Sequence, residues 1–466
     1  MAEPSYSPRL RTALVLCGAG TAGAYQAGAL RGLVEAGVKI DIIAAHGAGT
    51  AVALGAAIDG GAAFWEAAGP WTSPRLRHAY RWRRALRVAG IGIIAAALCA
   101  LSPLLVLAVA TIVYMLSLLA GLLSLTGVSA WLVDAYAQML DLLFHPPILA
   151  TIVPRLTVLA LVLVLVVLAL SLWQTLRHER SRRRFRGVVW WRLLGAPVDA
   201  REPAETLVHA LWRLVHGSSK EPEPAAEEIG RRYADQLADN FGQPGFREFL
   251  LAVHDLDTHR DLVGAILTDQ WKTTFMGRRR TGGAREAEAI EFTGPHRDLI
   301  VDWIRGSLVL PAVCAPELMQ FPTESYWRGE AHRICDRPEL PVRLIEELAM
   351  LGVEQVVLVT STPAPALLHA LRSRPADLRG RMGEWLRSAE TAAFEDAAAS
   401  AAARFSGVFV IRPDHNPIGP FDFAGTYDET SDRSRTVLEL MQQGYGDAYR
   451  QFIEPVVASG ERVEAI

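Results

Sequence analysis

The N-terminal part of the chain alternates between short apolar runs and longer segments of helical periodicity. An apolar run over 13–16 precedes a helical pattern over 23–36, for which Gly37 is a natural end. A second strand-like run over 38–44 leads through small residues into a helix that extends to about Ile58. Strand–helix alternation at this spacing predicts a parallel sheet covered by helices.

The pattern changes abruptly after residue 74, where arginine clusters flank two long uncharged runs. No Asp, Glu, Lys or Arg occurs over 88–133 or over 156–176. About 20 such residues are enough for a helix to cross ~30 Å of hydrocarbon, whereas helices of soluble cores are amphipathic. The arginines of the two clusters are Arg75, Arg77, Arg81, Arg83, Arg84 and Arg87, then Arg177, Arg180, Arg182, Arg183, Arg184 and Arg186. The sequence therefore predicts a membrane insert over 75–186.

Both arginine clusters are expected on the cytoplasmic side of the membrane, and this requires an even number of crossings. We expect two crossings, over about 103–126 and 156–176. Residues 88–102 would then form an interfacial or re-entrant piece, and 127–155 an external loop. The predicted location is the inner (cytoplasmic) membrane, as a multi-pass protein whose soluble core lies in the cytoplasm.

Beyond Gly187 the composition is again that of a soluble domain. Further elements are expected as a linker over 220–224, helices over 225–270, 365–404 and 433–457, and strands over 353–360 and 408–412. The predicted domains are a first core part over 1–74, the insert over 75–186, a helical region with linker over 187–300, and a second core part over 301–466.

Composition narrows the class of protein. The chain has 466 residues, 51% hydrophobic and 21% charged, which favours a large buried core. The formal net charge is −3 and no basic stripe carries interleaved aromatic residues, so no nucleic-acid partner is expected. The four cysteines lack metal-finger spacing and are predicted to be reduced, and we expect no metal and no cofactor. They are Cys17, Cys99, Cys314 and Cys335.

A glycine-rich loop follows the first predicted strand. The sequence Gly18-Ala19-Gly20-Thr21-Ala22-Gly23 matches G-x-G-x-x-G. In a dinucleotide-binding fold such glycines admit a pyrophosphate to the helix N-terminus, whereas in an acyl hydrolase the N–H groups of such a loop stabilise an oxyanion. The nucleotide interpretation requires an acid at the end of the second strand, but Asp41 lies nearer its start.

The residues that follow resemble the opening of patatin-like phospholipases. The resemblance covers 23–33, 37–41 and the turn Ala45-His46-Gly47-Ala48-Gly49. In that family the turn is a nucleophile elbow of the form G-x-S-x-G, which presents a serine at a sharp strand-to-helix connection. In this sequence Gly47 occupies the serine position. The resemblance implies an oxyanion loop formed by Gly18, Ala19, Gly20 and Gly23, and an elbow formed by Ala45, His46, Ala48 and Gly49.

Later segments are similar to the rest of the same family. Residues 306–313 resemble its Ala-Ser-x-x-x-Pro segment, and Asp336 falls where its catalytic aspartate begins an Asp-Gly-Gly or Asp-Gly-Ala motif. Three positions depart from the pattern, because Arg337 and Pro338 replace glycines and Ala22 replaces a basic residue of the loop. Weaker similarity occurs at 341–342, 412–413 and 444–448. The implied fold is a patatin-like α/β core, a parallel sheet with flanking helices, interrupted by a helical membrane insert.

A patatin-type reaction requires an attacking hydroxyl, a base and oxyanion donors. Gly47 supplies no hydroxyl, so we expect a pseudoenzyme that binds acyl lipid or a protein partner, with Asp336 as the candidate acid or base. We interpret His46 as an ordinary turn histidine, and expect Gly47→Ser to restore partial activity. Two alternatives remain open: an active lipid acyl hydrolase with another nucleophile, such as Thr50 or Cys17, and a nucleotide-binding membrane protein that uses the glycine loop.

Overall fold

The computed structural model describes residues 6–66, 69–143, 153–178, 196–217, 221–277, 285–311, 313–365 and 378–457. The chain divides into two compact units. One comprises Met1–Arg81 together with Val198–Ile466, and the other comprises Trp82–Pro197.

The first unit is built on one mixed sheet that is mostly parallel. Its central order is β5-β4-β3-β2-β1-β8-β9, and β7 joins β3 and β6 at one side. The strands are β1 (Thr12–Cys17), β2 (Ile42–Ala45), β3 (Glu248–Asp255), β4 (Arg260–Ile266), β5 (Ala289–Glu291), β6 (Glu317–Gln320), β7 (Ala331–Cys335), β8 (Gln355–Thr360) and β9 (Gly407–Ile411); a separate hairpin pairs β10 (Thr426–Asp428) with β11 (Arg433–Arg435).

Helices cover both faces of this sheet. Other helices, α4 to α6 in the list below, form the described part of the second unit. The helices are α1 (Ala22–Glu35), α2 (Gly49–Asp59), α3 (Ala62–Trp65), α4 (Arg84–Leu122), α5 (Thr126–Leu143), α6 (Val153–His178), α7 (Arg201–His216), α8 (Ala226–Asp239), α9 (Asp269–Gly277), α10 (Ile300–Ser307), α11 (Leu340–Met350), α12 (Leu378–Ala402) and α13 (Val437–Ala448). Short 3-10 turns lie at Pro70–Thr72, Leu76–His78, Arg285–Ala287 and Arg297–Leu299, and a π-helical segment at Tyr449–Val457 follows α13.

The sheet joins residues from both sides of the insert, as predicted. β1 is central and pairs in parallel with β2 on one side and with β8 on the other. All six residues of β1 and of β8 are buried. This burial on both faces explains why these strands appear in the sequence as continuous apolar runs rather than as alternating patterns. The prediction that 13–16 and 353–360 share one sheet is therefore confirmed.

The predicted helices over 225–270 are only partly correct. Residues 226–239 form α8, but β3 and β4 form an antiparallel hairpin beyond it. The hairpin turn is stabilised by Asp255, whose carboxylate accepts hydrogen bonds from the N–H groups of Asp257 and Thr258. Apolar runs that are buried on both faces lack the alternation that distinguishes a strand from a buried helix, and this ambiguity explains the error.

Two other predicted boundaries also change. β2 begins only at Ile42, four residues later than predicted. The last helix begins at Val437 rather than near 433, where β11 lies, and Thr436 caps it with Glu439 in a capping box. Of the predicted helical region over 365–404, residues 378–402 form α12 and residues 366–377 lie outside the described part.

The second unit contains the long apolar helices. Within the described residues, three helical segments are long and apolar enough to cross a membrane: Arg84–Ser102, Leu104–Leu122 and Pro154–Trp173. The first two belong to the single 39-residue helix α4, which at 1.5 Å per residue is about 58 Å long. Large apolar side chains on α4 and α6 are exposed, for example Leu107 and Leu165, each at 65%. This composition and exposure associate the unit with a membrane.

The predicted separate piece over 88–102 is wrong, because α4 runs through these residues without a break. The predicted external loop over 127–155 also contains a helix, α5. α5 packs antiparallel to α4. The hydroxyl groups of Ser117 and Ser129 form a hydrogen bond of 2.8 Å, and the Tyr136 hydroxyl donates to the Val106 carbonyl at 3.0 Å. Residues 144–152 lie outside the described part.

Candidate functional site

The candidate site lies where β1 and β2 end side by side. Leu16 and Ala45 are register partners in this parallel pair, so the glycine loop after β1 and the turn after β2 leave the sheet at the same edge. Crevices at the carboxyl ends of parallel strands are the usual ligand sites of α/β proteins. The tertiary structure thus brings together the two motifs that the sequence singles out.

Gly47 lies at the tip of the turn after β2 and has the left-handed φ of +58°. A β-carbon placed on Gly47 would stand 2.6 Å from the carbonyl oxygen of Gly18 and 2.9 Å from Asp336 Oδ2. The turn itself is held by the N–H of Ala48, which donates to the same Gly18 carbonyl at 3.1 Å. The turn therefore has the sharpness of an elbow, but the space for a side chain at its tip is occupied.

Asp336 reaches this turn from the end of β7. Its backbone N–H donates to the carbonyl of Val309 at 2.9 Å, within the segment that resembles Ala-Ser-x-x-x-Pro. The same segment is held from its other side by Tyr80, whose hydroxyl donates to the Leu308 carbonyl at 2.8 Å. The position of Asp336 thus depends on Val309 and, through the same segment, on Tyr80, both of which are distant from it in the chain.

His46 forms a buried pair with Asp336, a role that the interpretation as an ordinary turn histidine did not include. Its Nδ1 lies 2.9 Å from Asp336 Oδ1, and both side chains are almost fully buried. Burial disfavours the charged imidazole ring, but the neighbouring Asp336 carboxylate favours it and raises the pKa of His46 to about 10. The N–H of Gly18 points at Nε2 from 3.2 Å, and this contact is a hydrogen bond only when the ring is neutral and carries its proton on Nδ1, so it opposes the effect of Asp336.

Several backbone donors of the glycine loop are already engaged. The N–H of Ala19 donates to Oε1 of Glu390 at 2.8 Å, and the N–H of Thr21 donates to the carbonyl of Pro420 at 3.1 Å. The N–H of Gly18 is directed at His46, so three N–H groups of the loop, those of Gly18, Ala19 and Thr21, face groups inside the protein. An oxyanion site requires donors that point at an open position, and these donors do not.

The glycines of the loop serve close packing within the protein. A β-carbon on Gly20 would stand 1.8 Å from the carbonyl oxygen of Pro420, and one on Gly23 would stand 2.2 Å from the Trp71 ring. In a dinucleotide-binding loop the same absence of side chains admits a pyrophosphate. Here a backbone carbonyl and an indole ring occupy that space.

Glu390 is a buried acid that the sequence analysis missed. It lies on α12, and the buried residues of that helix form a stripe at helical spacing. They are Gly383, Leu386, Glu390, Ala393, Phe394, Ala397 and Ala401. Burial raises the pKa of the Glu390 carboxyl to about 7, against the lowering effect of the Ala19 N–H. An acid on an otherwise apolar helical stripe is the signal by which the sequence could have revealed it.

The site is closed to solvent. Relative exposure is 1% for His46, 2% for Asp336 and 0% for Thr50. A cavity of about 450 Å³ lies instead at the carboxyl end of β9, lined by residues such as Arg412, Asp414 and Gln451, and the loop and the turn do not line it. Among the described residues, the groups beside Gly47 are therefore shielded from solvent.

The two alternative nucleophiles are also buried. The Thr50 hydroxyl lies in the first turn of α2 and has no hydrogen-bond partner within the described part of the chain. Cys17 is 3% exposed and its thiol is free of any disulfide, and its side chain interacts with the His46 ring. No group of three or more metal-ligating side chains occurs among the described residues.

Asp41 lies at the amino end of β2, whereas the glycine loop lies at the carboxyl ends of the strands. Its carboxylate accepts a hydrogen bond of 2.8 Å from the N–H of Thr12, the first residue of β1. The acid that would bind a ribose in a dinucleotide-binding fold is therefore not at the carboxyl end of β2, where that chemistry requires it.

Comparison with known proteins adds no assignment. No family model matches the chain, and no curated protein sequence matches it.

Proposed function

We propose that this chain is a membrane-associated protein with a patatin-like core that has lost hydrolytic activity and binds acyl lipid or a protein partner. The observation that carries the proposal is the position of Gly47. It lies at the tip of an elbow-like turn, next to a buried Asp336, where an acyl hydrolase of this kind requires a serine.

The engaged loop donors support the loss of activity. Even with a hydroxyl at position 47, a tetrahedral intermediate would need N–H groups that now bind His46, Glu390 and Pro420. Removing one member of a nucleophile–base unit usually removes nearly all of its contribution to the rate. A missing nucleophile and partly engaged oxyanion donors both support an inactive site.

The long apolar helices support the membrane part of the proposal. α4 and α6 each contain at least one segment that matches the thickness of the hydrocarbon layer. We further propose an even number of crossings, with the soluble core in the cytoplasm, because both arginine clusters favour that side of the membrane.

The test is an esterase assay on the detergent-purified protein with a short-chain nitrophenyl ester, together with labelling by a serine-directed phosphonate. We expect no turnover above the buffer rate and no covalent adduct. Turnover that survives Asp336→Ala would overturn the proposal, because it would reveal a nucleophile outside this site.

Cys17 supports a second candidate, an active hydrolase with a cysteine nucleophile. Its side chain interacts with the His46 ring, and His46 in turn bonds to Asp336, which is the nucleophile–base–orienting group order of a catalytic unit. Its burial counts against this role. Alkylation by iodoacetamide followed by mass spectrometry decides the question: modification of Cys17 with simultaneous loss of esterase activity would favour this candidate.

A further inference from the structure

The hydrogen bond between Glu390 and the glycine loop shows which kind of group the loop can bind. Gly18 and Gly20 have φ values of +128° and +58° on either side of Ala19, and such loops direct backbone N–H groups into an anion-binding concavity. The Ala19 N–H donates to the carboxyl group of Glu390, which is buried. The loop thus binds a carboxyl group, and that group belongs to the chain.

α12 and the segment after β9 hold this carboxylate in place. Arg387, one turn before Glu390, donates to the carbonyls of Asn416 and Ile418. The segment continues to Pro420, whose carbonyl accepts the N–H of Thr21. The helix and the segment therefore cover the loop together, and Glu390 extends from the helix to the loop.

A second observation is an unpaired polar side chain beside Gly18, the first residue of the loop. Gln26 is 0% exposed, and neither its amide nitrogen nor its amide oxygen has a partner within the described part of the chain. Its Nε2 lies 3.9 Å from a β-carbon position on Gly18, and its Oε1 lies 2.9 Å from one on Gly49. Buried polar groups are normally paired, so an unpaired amide facing the loop indicates a place for a polar guest.

We propose that the glycine loop is a carboxylate-binding site which the chain's own Glu390 keeps closed, and that withdrawal of Glu390 opens it to the carboxylate of an external ligand. The donor is the Ala19 N–H, and Gln26 provides a further donor beside the loop. The proposal concerns binding alone and holds whether or not the protein hydrolyses esters.

Three charged side chains surround the carboxyl group of Glu390. Asp336 disfavours a second negative charge in the loop, whereas His46 and Arg387 favour it. An incoming carboxyl group would meet the same three charged neighbours as Glu390 does. The site can therefore exchange one carboxyl group for another without a change in the charges around it.

The test is truncation of the internal ligand followed by rescue. Glu390→Ala removes a carboxymethyl group that acetate can replace, so acetate should raise the thermal unfolding midpoint of this variant by about 3 °C or more at saturation. Equal concentrations of sodium chloride control for ionic strength. Glu384→Ala is the matched control, because Glu384 lies on the same helix and is exposed; it and the wild type should not respond.

A second variant preserves the test if Glu390→Ala fails to fold. Glu390→Gln keeps the volume and an acceptor oxygen for the Ala19 N–H, so it should fold and should not respond to acetate. An acetate response of equal size in all proteins, or none in a folded Glu390→Ala, would overturn the proposal. Octanoate in the same assay identifies the ligand: stabilisation beyond that by acetate indicates an acyl acid, and equal or weaker stabilisation indicates a small carboxylate.

Discussion

Asp336 lies beside Gly47, with its Oδ2 2.9 Å from the position that a β-carbon on Gly47 would take. The two residues are 289 positions apart in a chain of 466, and the sheet brings them together. The arrangement of an acid next to an elbow is thus present although the elbow has no hydroxyl. The first prediction concerns what a hydroxyl would do there.

Gly47→Ser should destabilise the protein and leave it without esterase activity, which revises the partial rescue expected from the sequence. The new β-carbon would contact the Gly18 carbonyl at 2.6 Å, a distance that real side chains do not show, and the loop would have to shift. Thermal unfolding and a nitrophenyl ester assay measure both effects.

Gly37→Ser is the matched control for Gly47→Ser. Gly37 has a similar left-handed φ of +70°, but no atom lies within 4 Å of its β-carbon position. Its substitution should cost only the conformational strain, on the order of 1 kcal/mol, and Gly47→Ser clearly more. Equal destabilisation by the two substitutions, or Gly47→Ser turnover that Asp336→Ala abolishes, would contradict the crowding seen at the turn.

The stability of the protein should fall as the pH rises from about 5 to 8. Burial raises the pKa of Glu390 to about 7 in the folded chain, so the folded state holds a proton that the unfolded state has already lost. The stabilisation is complete below the ordinary glutamate pKa and disappears as the pH passes about 7. A shift of this size corresponds to about 3 kcal/mol, which thermal unfolding across this pH range can detect.

Glu390→Gln isolates the contribution of this group to the pH dependence. Glutamine does not titrate, so the variant should show a flatter profile between pH 5 and 8 than the wild type. His46 contributes in the same direction at higher pH, because its pKa is raised to about 10, and that part of the profile should persist. Identical profiles for variant and wild type would show that Glu390 is not the titrating group.

A topology experiment tests the number of crossings. Cysteines introduced by Arg84→Cys and Arg182→Cys should not react with a membrane-impermeant maleimide added to intact cells, because both arginine clusters are predicted to be cytoplasmic. Trp131→Cys should react, because Trp131 is 66% exposed on α5, between the predicted crossings. Reaction of either arginine position before lysis would exclude an even number of crossings with a cytoplasmic core.

Two glycines of α13 should behave oppositely when changed to alanine. A β-carbon on Gly444 would stand 2.1 Å from the Tyr25 carbonyl oxygen on α1, whereas one on Gly446 would meet no atom within 4 Å. Gly444→Ala should therefore be strongly destabilising, and Gly446→Ala neutral or stabilising by up to about 1 kcal/mol through helix propensity. Thermal unfolding of the two variants measures the contrast, and equal effects would exclude the close packing of α1 on α13.

The sequence by itself determined the elements whose signals are local. A strand, a glycine loop and a helix ending at Gly37 follow from spacing and composition over a few residues, and the structure has β1 and α1 within about two residues of those positions. The uncharged runs were equally decisive, because hydrophobic length is a property of the chain and not of its partners.

Only the tertiary structure decided which groups meet at the site. The strands β3 and β4 could not be distinguished from buried helices, since burial on both faces erases the alternation of polar and apolar positions. The partners of His46 and Ala19 lie 290 and 371 positions away along the chain, and no local pattern encodes such distances. The sequence placed Gly47 in a turn of small residues, and long-range packing supplied Glu390 and Pro420 as partners for N–H groups of the neighbouring glycine loop.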